Sequence, residues 1–142
     1  MNTVNITNQQ PHESKKTVIF LKGIMIFIGI SGCFSVLCGA WLAHGGQALP
    51  DNTQSSMATA LQYQLFHTIA LLACLVWIKT SKSSVVLMSA CIAFIIGILC
   101  FSGTIYIKAF FELTFVGKLT PFGGIALALA WLLLALESKN NF

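Results

Sequence analysis

Four stretches of apolar sequence, none with an ionised side chain, fix what this chain can become. Gly23 to Ala43 is 21 residues, and at about 1.5 Å per residue it reaches about 31 Å, the depth of the hydrocarbon layer. Ala58 to Ile78 is another 21 residues and Val85 to Tyr106 is 22. The fourth, Pro121 to Leu136, has only 16, so a crossing there must borrow from the residues before it or start below the membrane surface. The runs are continuous rather than alternating, and a backbone in lipid has to pair its own polar groups, which selects helices over barrel strands. The expected fold is all-α: a polytopic membrane protein built as a four-transmembrane-helix bundle, with spans at about 23–43, 58–78, 85–106 and 118–136. Composition agrees, since 8% charged residues is far below the roughly 25% of soluble domains.

All eight basic residues are lysines. Lys15, Lys16 and Lys22 precede the first span, Lys79 and Lys82 separate the second from the third, and Lys139 follows the fourth. The opposite side has Lys108 and Lys118 alone. An excess of positive charge marks the cytoplasmic side, so both termini are expected there. The net charge of +4 is explained by that asymmetry and gives no reason to expect nucleic acid. Residues 1–17, rich in Asn, Gln and Thr, are expected to form a disordered cytoplasmic tail ahead of a membrane domain over 18–142. Ile30-Ser31-Gly32-Cys33 resembles a lipoprotein cleavage box, but Phe34 to Leu37 carry the apolar run past it, beyond the length of a signal core.

The five cysteines all fall within spans, in odd number and without a CxxC pair, and read as small apolar filler rather than disulfides or metal ligands. Small residues recur every fourth position at Ser31, Ser35, Gly39 and Ala43, at Ser89, Ala93 and Gly97, and at Ala126 and Ala130. Such stripes let backbones approach closely in lipid.

The candidate site is a set of polar residues in the half of the bundle away from the termini. His44 ends the first span. Tyr63, Gln64 and His67 descend the second, and their i,i+3 and i,i+4 spacing puts them on one helical face, with Gln62 pointing elsewhere. Ser102, Thr104 and Tyr106 close the third, and Thr120 opens the fourth. Thr120-Pro121 reads as an N-cap followed by proline at the first helical position, with Gly123 and Gly124 allowing close packing. A short fourth helix starting inside the bilayer would then aim its free N–H groups at the cluster, an arrangement suited to an anion. Lys108 and Glu112, four apart, read as a solvated ion pair.

Four blocks of this sequence, GAWLAHGG at 39–46, LQYQLFHTIALL at 61–72, LCFSGTIY at 99–106 and TPFGGIALALAW at 120–131, resemble the YgdD-like bacterial inner-membrane proteins, a family of unknown function. The pattern is matched at Gly39, Ala40, Ala43, His44, Tyr63, Gln64, His67, Ser102, Gly103, Thr120, Pro121, Gly123 and Gly124. The resemblance covers about residues 29–136, and the longer polar segment before Ser14 departs from it. It implies four spans and a bacterial inner membrane, and brings no reaction with it.

No metal or cofactor is expected. Two histidines are too few for a metal site, and no acid, His-x-x-x-His or Gly-x-Ser-x-Gly stands within a span to serve an enzyme. Two functional classes stay open. One is a non-enzymatic structural or accessory membrane component, its cluster spent on interhelical hydrogen bonds. The other is a small oligomeric transporter or proton-linked permease using His67 and its neighbours. Expected partners are the lipid bilayer and either further copies of the chain or another membrane protein.

Overall fold

The computed structural model describes residues 15–80 and 84–141, with side chains to residue 138. The expected disordered tail over 1–17 lies outside these residues up to Ser14; from Lys15 the chain is already helical. Helix α1 is Lys15–His44 and α2 is Asp51–Thr80, both of 30 residues, joined by a single 3-10 turn at Gly46–Ala48. Helix α3, Val85–Ile98, passes through a π-helical turn at Leu99–Gly103 into α4, Thr104–Phe111, as one rod. A 3-10 segment, Thr114–Leu119, leads into α5, Thr120–Asn141.

Four of these stretches, Lys15–His44, Asp51–Thr80, Val85–Phe111 and Thr114–Ser138, are long and apolar enough to cross a membrane. The helices outrun the expected spans because lipid thickness limits the apolar run and not the helix, so α1 at about 45 Å projects through both interfaces or tilts. Proline sets the starts. Pro50 stands just before α2, where its carbonyl accepts from Thr53 N at 2.8 Å and Gln54 N at 3.0 Å, and Pro121 occupies the first turn of α5, where no intrahelical N–H bond is lost.

The interior divides in two. A larger apolar cluster, including Ile24, Leu71, Leu87, Phe94 and Leu127, fills the half near the termini. A smaller one, Cys38, Met57, Ala60 and Tyr106, lies toward the interhelical turns. Between them the buried polar residues Ser31, Gln64, Thr68 and Ser102 form a belt across the bundle. Outward, Ile26, Val36, Phe66, Val85, Phe122 and Leu132 are all at least 60% exposed, an apolar exterior that lipid and not water can solvate.

The small-residue stripes account for several close approaches. Ser31 and Ser35 are buried, and Gly39 faces Leu61 of α2, although Ala43 at the end of the same stripe is exposed. Between α3 and α5 the backbones come nearer still: a Cβ built on Gly97 would fall 2.6 Å from Leu127 Cγ.

Candidate functional site

Gln64 sits in the middle of α2 with 5% of its surface exposed. Its Nε2 donates to the Ser31 carbonyl at 3.2 Å and to Ser31 Oγ at 3.0 Å on α1. Ser31 Oγ is also 2.7 Å from Thr68 Oγ1, one turn further along α2, and Ser35 Oγ donates back to the Ser31 carbonyl at 2.9 Å. Ser31, Gln64 and Thr68 thus tie α1 to α2 at mid-bundle, while the Ser35 bond stays within α1. Thr68 was not singled out in the sequence, although its place four residues after Gln64 puts it on the same face.

His67 faces elsewhere. A residue advances about 100° around a helix, so Gln64 and His67 differ by about 60°, enough for one to meet α1 while the other meets α3 and α5. His67 Nδ1 lies 2.6 Å from the Tyr63 carbonyl. A carbonyl only accepts, so Nδ1 carries the proton and donates. The imidazole packs between Phe94, at 5.8 Å between ring centres, and Trp131, at 6.2 Å, while Trp131 meets Phe94 edge-on at 5.5 Å and 86°. Tyr63 stacks on Phe101 of the π-turn at 4.6 Å and is 42% exposed. The single inward face expected for Tyr63, Gln64 and His67 is therefore split, and Gln62, expected to point away, lines the same outer groove as Tyr63, His67 and Trp131, a hollow of about 590 Å³.

The other cluster members also pair separately. Ser102 Oγ donates to the Ala60 carbonyl at 2.7 Å, joining the π-turn to α2. Thr120 Oγ1 is 2.8 Å from Thr104 Oγ1, joining α5 to α4. Thr120 is not the expected N-cap: its φ and ψ of −53° and −46° are helical, and its N–H bonds to the Gly117 carbonyl. The 3-10 segment feeding α5 supplies that acceptor, so the amide does not remain free for an anion. Gly123 packs on the π-turn, where an added Cβ would lie 2.6 Å from the Cys100 carbonyl carbon, whereas at Gly124 it would meet only the Phe101 ring at 3.8 Å. His44 is exposed at the end of α1, away from the mid-bundle bonds. Among the described residues no three His, Cys, Asp or Glu side chains gather where a metal could sit.

Glu112 is placed unlike the expectation, and Glu137, for which there was none, is buried. Glu112 leaves α4 in the left-handed region, φ 57° and ψ 19°, so i,i+4 helical spacing no longer lays its carboxylate over Lys108. Both instead line a polar hollow of about 600 Å³ with Ser55, Thr59 and Thr120. Glu137, beyond the expected end of the last span, is 1% exposed. Ser84 Oγ donates to it at 2.6 Å and itself accepts from Val86 N and Leu87 N at 3.1 and 3.3 Å. The carboxylate therefore sits at the N-terminus of α3, where the helix dipole favours negative charge. A serine directly before an apolar run was the available signal for that cap; its partner 53 residues on was not visible.

Continuous apolar helices, a lipid-ready exterior and hydrogen bonds passed between helices define a four-helix polytopic membrane protein. The chain belongs to the family described as "Protein of unknown function (DUF423)", whose model matches residues 38–124. It is similar to a UPF0382 membrane protein of Haemophilus influenzae, 38% identical over 119 residues, covering 82% of this chain and 94% of the relative. Similar too are the inner membrane protein YgdD of Escherichia coli, 30% identical with 78% of this chain and 85% of the relative covered, and YwdK of Bacillus subtilis, 29% identical with 83% and 97% covered. No solved structure matches the chain.

Proposed function

We propose that this protein is a non-enzymatic structural or accessory component of the bacterial inner membrane, with both termini in the cytoplasm. One observation carries the reading: buried polar side chains at mid-bundle are spent on bonds from one helix to the next. Gln64 bonds α2 to α1, Ser102 bonds the π-turn to α2, and Thr104 with Thr120 bonds α4 to α5. A solute path needs polar groups facing a shared lumen, whereas bonds of this kind hold helices in register, each contributing about 0.6 kcal/mol on average. The lysine asymmetry supports the orientation. The apolar exterior supports lipid as the immediate partner, and further copies or another membrane protein as the next.

A second reading, a small oligomeric transporter or proton-linked permease, is favoured by one feature: the titratable His67 lines an outer groove that a neighbouring copy could close. Proteoliposomes separate the two. On the accessory reading, Gln64→Ala lowers the unfolding midpoint and no proton or solute flux is present to lose; a flux abolished by His67→Ala at unchanged stability would overturn it. For orientation, alkaline phosphatase fused after Gln47 is expected to be active and fused after Phe142 inactive.

A further inference from the structure

The polar hollow of about 600 Å³ lies between the start of α2, α4 and the 3-10 segment at Thr114–Leu119, and two opposite charges line it, Lys108 and Glu112. Among the described residues they form no ion pair. The left-handed turn at Glu112 carries its carboxylate off the face of α4, and the Lys108 stem passes the 3-10 segment, where a Cβ added to Gly117 would meet its Cδ at 3.9 Å. Glycine would hold that turn without strain, yet a carboxylate stands there, and strained backbone of this kind gathers at ligand sites. Neighbours set the depth. Phe111, Leu113 and Phe115, on either side of Glu112 in sequence, are 70%, 42% and 66% exposed, and apolar side chains so open rest in hydrocarbon. The hollow therefore stands where lipid headgroups begin.

We propose that this hollow seats the headgroup of a glycerophospholipid bearing a primary amine, with the phosphate at Lys108 and the ammonium at Glu112. The hydrogen-bonding inventory selects the ligand. Ser56 and Thr59, both in the lining, already spend their protons on the α2 carbonyls of Asn52 and Ser55, at 2.8 and 3.0 Å, so toward the hollow their oxygens can only accept. A primary ammonium brings three protons to such acceptors and a charge to Glu112. A quaternary ammonium has no N–H to give. A headgroup that is only anionic leaves Glu112 facing like charge, and one that is only cationic does the same to Lys108. A free zwitterion carries the same charges, but Phe111, Leu113 and Phe115 give acyl chains a surface to lie against, which selects the lipid. The site is independent of the accessory and transport readings, since it uses neither the Gln64 bonds nor His67.

The test is native mass spectrometry of the full chain in detergent with equimolar phosphatidylethanolamine, phosphatidylglycerol and phosphatidylcholine of matched acyl chains. Phosphatidylethanolamine adducts are expected about tenfold over either rival, the discrimination of one charge-assisted hydrogen bond. Glu112→Gln should erase that preference. Lys108→Gln should weaken phosphatidylethanolamine and phosphatidylglycerol alike, by about tenfold, and both variants should unfold as the parent does, because both side chains are exposed. Glu112→Gly should also erase the preference while unfolding later, which separates lost recognition from a damaged fold. Free phosphoethanolamine, without chains to bury, should displace the lipid only in about hundredfold excess or more. Equal adducts of the three lipids, or a preference indifferent to Glu112→Gln, would overturn the assignment. Displacement by free phosphoethanolamine at equal concentration would overturn it as well, and give the hollow to a soluble zwitterion.

Discussion

Gly123 and Gly124 are adjacent in sequence and helix, yet a methyl group added to each should act in opposite directions. Replacing glycine by alanine inside a helix is favourable by about 1 kcal/mol, because the unfolded chain loses freedom it would otherwise regain. At Gly124 that gain is kept, since the new Cβ meets only a ring carbon of Phe101 at 3.8 Å. At Gly123 it would lie 2.6 Å from the Cys100 carbonyl carbon and 2.8 Å from Phe101 Cα. Both are backbone atoms, so no rotamer change relieves the clash and α5 must move away from the π-turn. Overpacking costs about 1–3 kcal/mol, and contact with backbone argues for the upper end. Gly123→Ala should then lose about 2 kcal/mol net, while Gly124→Ala gains up to about 1. A gap of about 3 kcal/mol is more than a hundredfold in the folded-to-unfolded ratio. Titration of the full chain with dodecyl sulfate in mixed micelles, followed by tryptophan fluorescence, reads it directly. If the two variants fell within about 0.5 kcal/mol of each other, the scatter of an ordinary surface substitution, the packing of α5 on the π-turn described above would be wrong.

Three other substitutions probe separate features. Ser84→Ala removes the α3 cap and the donor to Glu137 together, and should destabilise by about 2–3 kcal/mol; a Glu137→Gln background should shrink that loss, read as coupling in a double-mutant cycle. Glu112→Gly should stabilise by about 1 kcal/mol, because only glycine holds a left-handed φ without strain; a loss in the same titration would refute this. Thr120→Val, which keeps the shape of the side chain, should cost about 1 kcal/mol in that titration, and Thr104→Val about twice as much, because the Thr104 hydroxyl also donates to the Cys100 carbonyl at 2.7 Å; equal losses would refute this.

The number and class of the helices were legible because bilayer depth acts on the sequence directly, through the length of runs such as 23–43 and 58–78. Helix ends were not, since nothing stops a helix at the edge of the lipid. Lys15 and Lys16 start α1 well before Gly23, and lysine at an interface costs a helix little. Within the site, the i,i+4 rule correctly grouped Tyr63 with His67, whose ring centres lie 5.7 Å apart. It could not say that Gln64, 60° round the helix, would meet α1, because one helix's periodicity does not name its neighbours. Glu137 went unnoticed for the same reason: only the folded bundle brings it to Ser84. Thr120 was misread because the cap signal is local, and the 3-10 turn that supplies its acceptor has no strong sequence mark.

The π-turn at Leu99–Gly103 also sets the phase of everything after it. Its i→i+5 bonds fit one extra residue into about the arc that four α-helical residues cover, so removing one residue from this stretch could restore a regular pitch and leave α4 near its present bearing. The same deletion within Thr104–Phe111 has no such slack and would swing the residues beyond it by about 100°. A family member with one residue fewer at the π-turn could therefore keep its distal rim, whereas one with a residue fewer in α4 would have to rebuild it around a different set of neighbours.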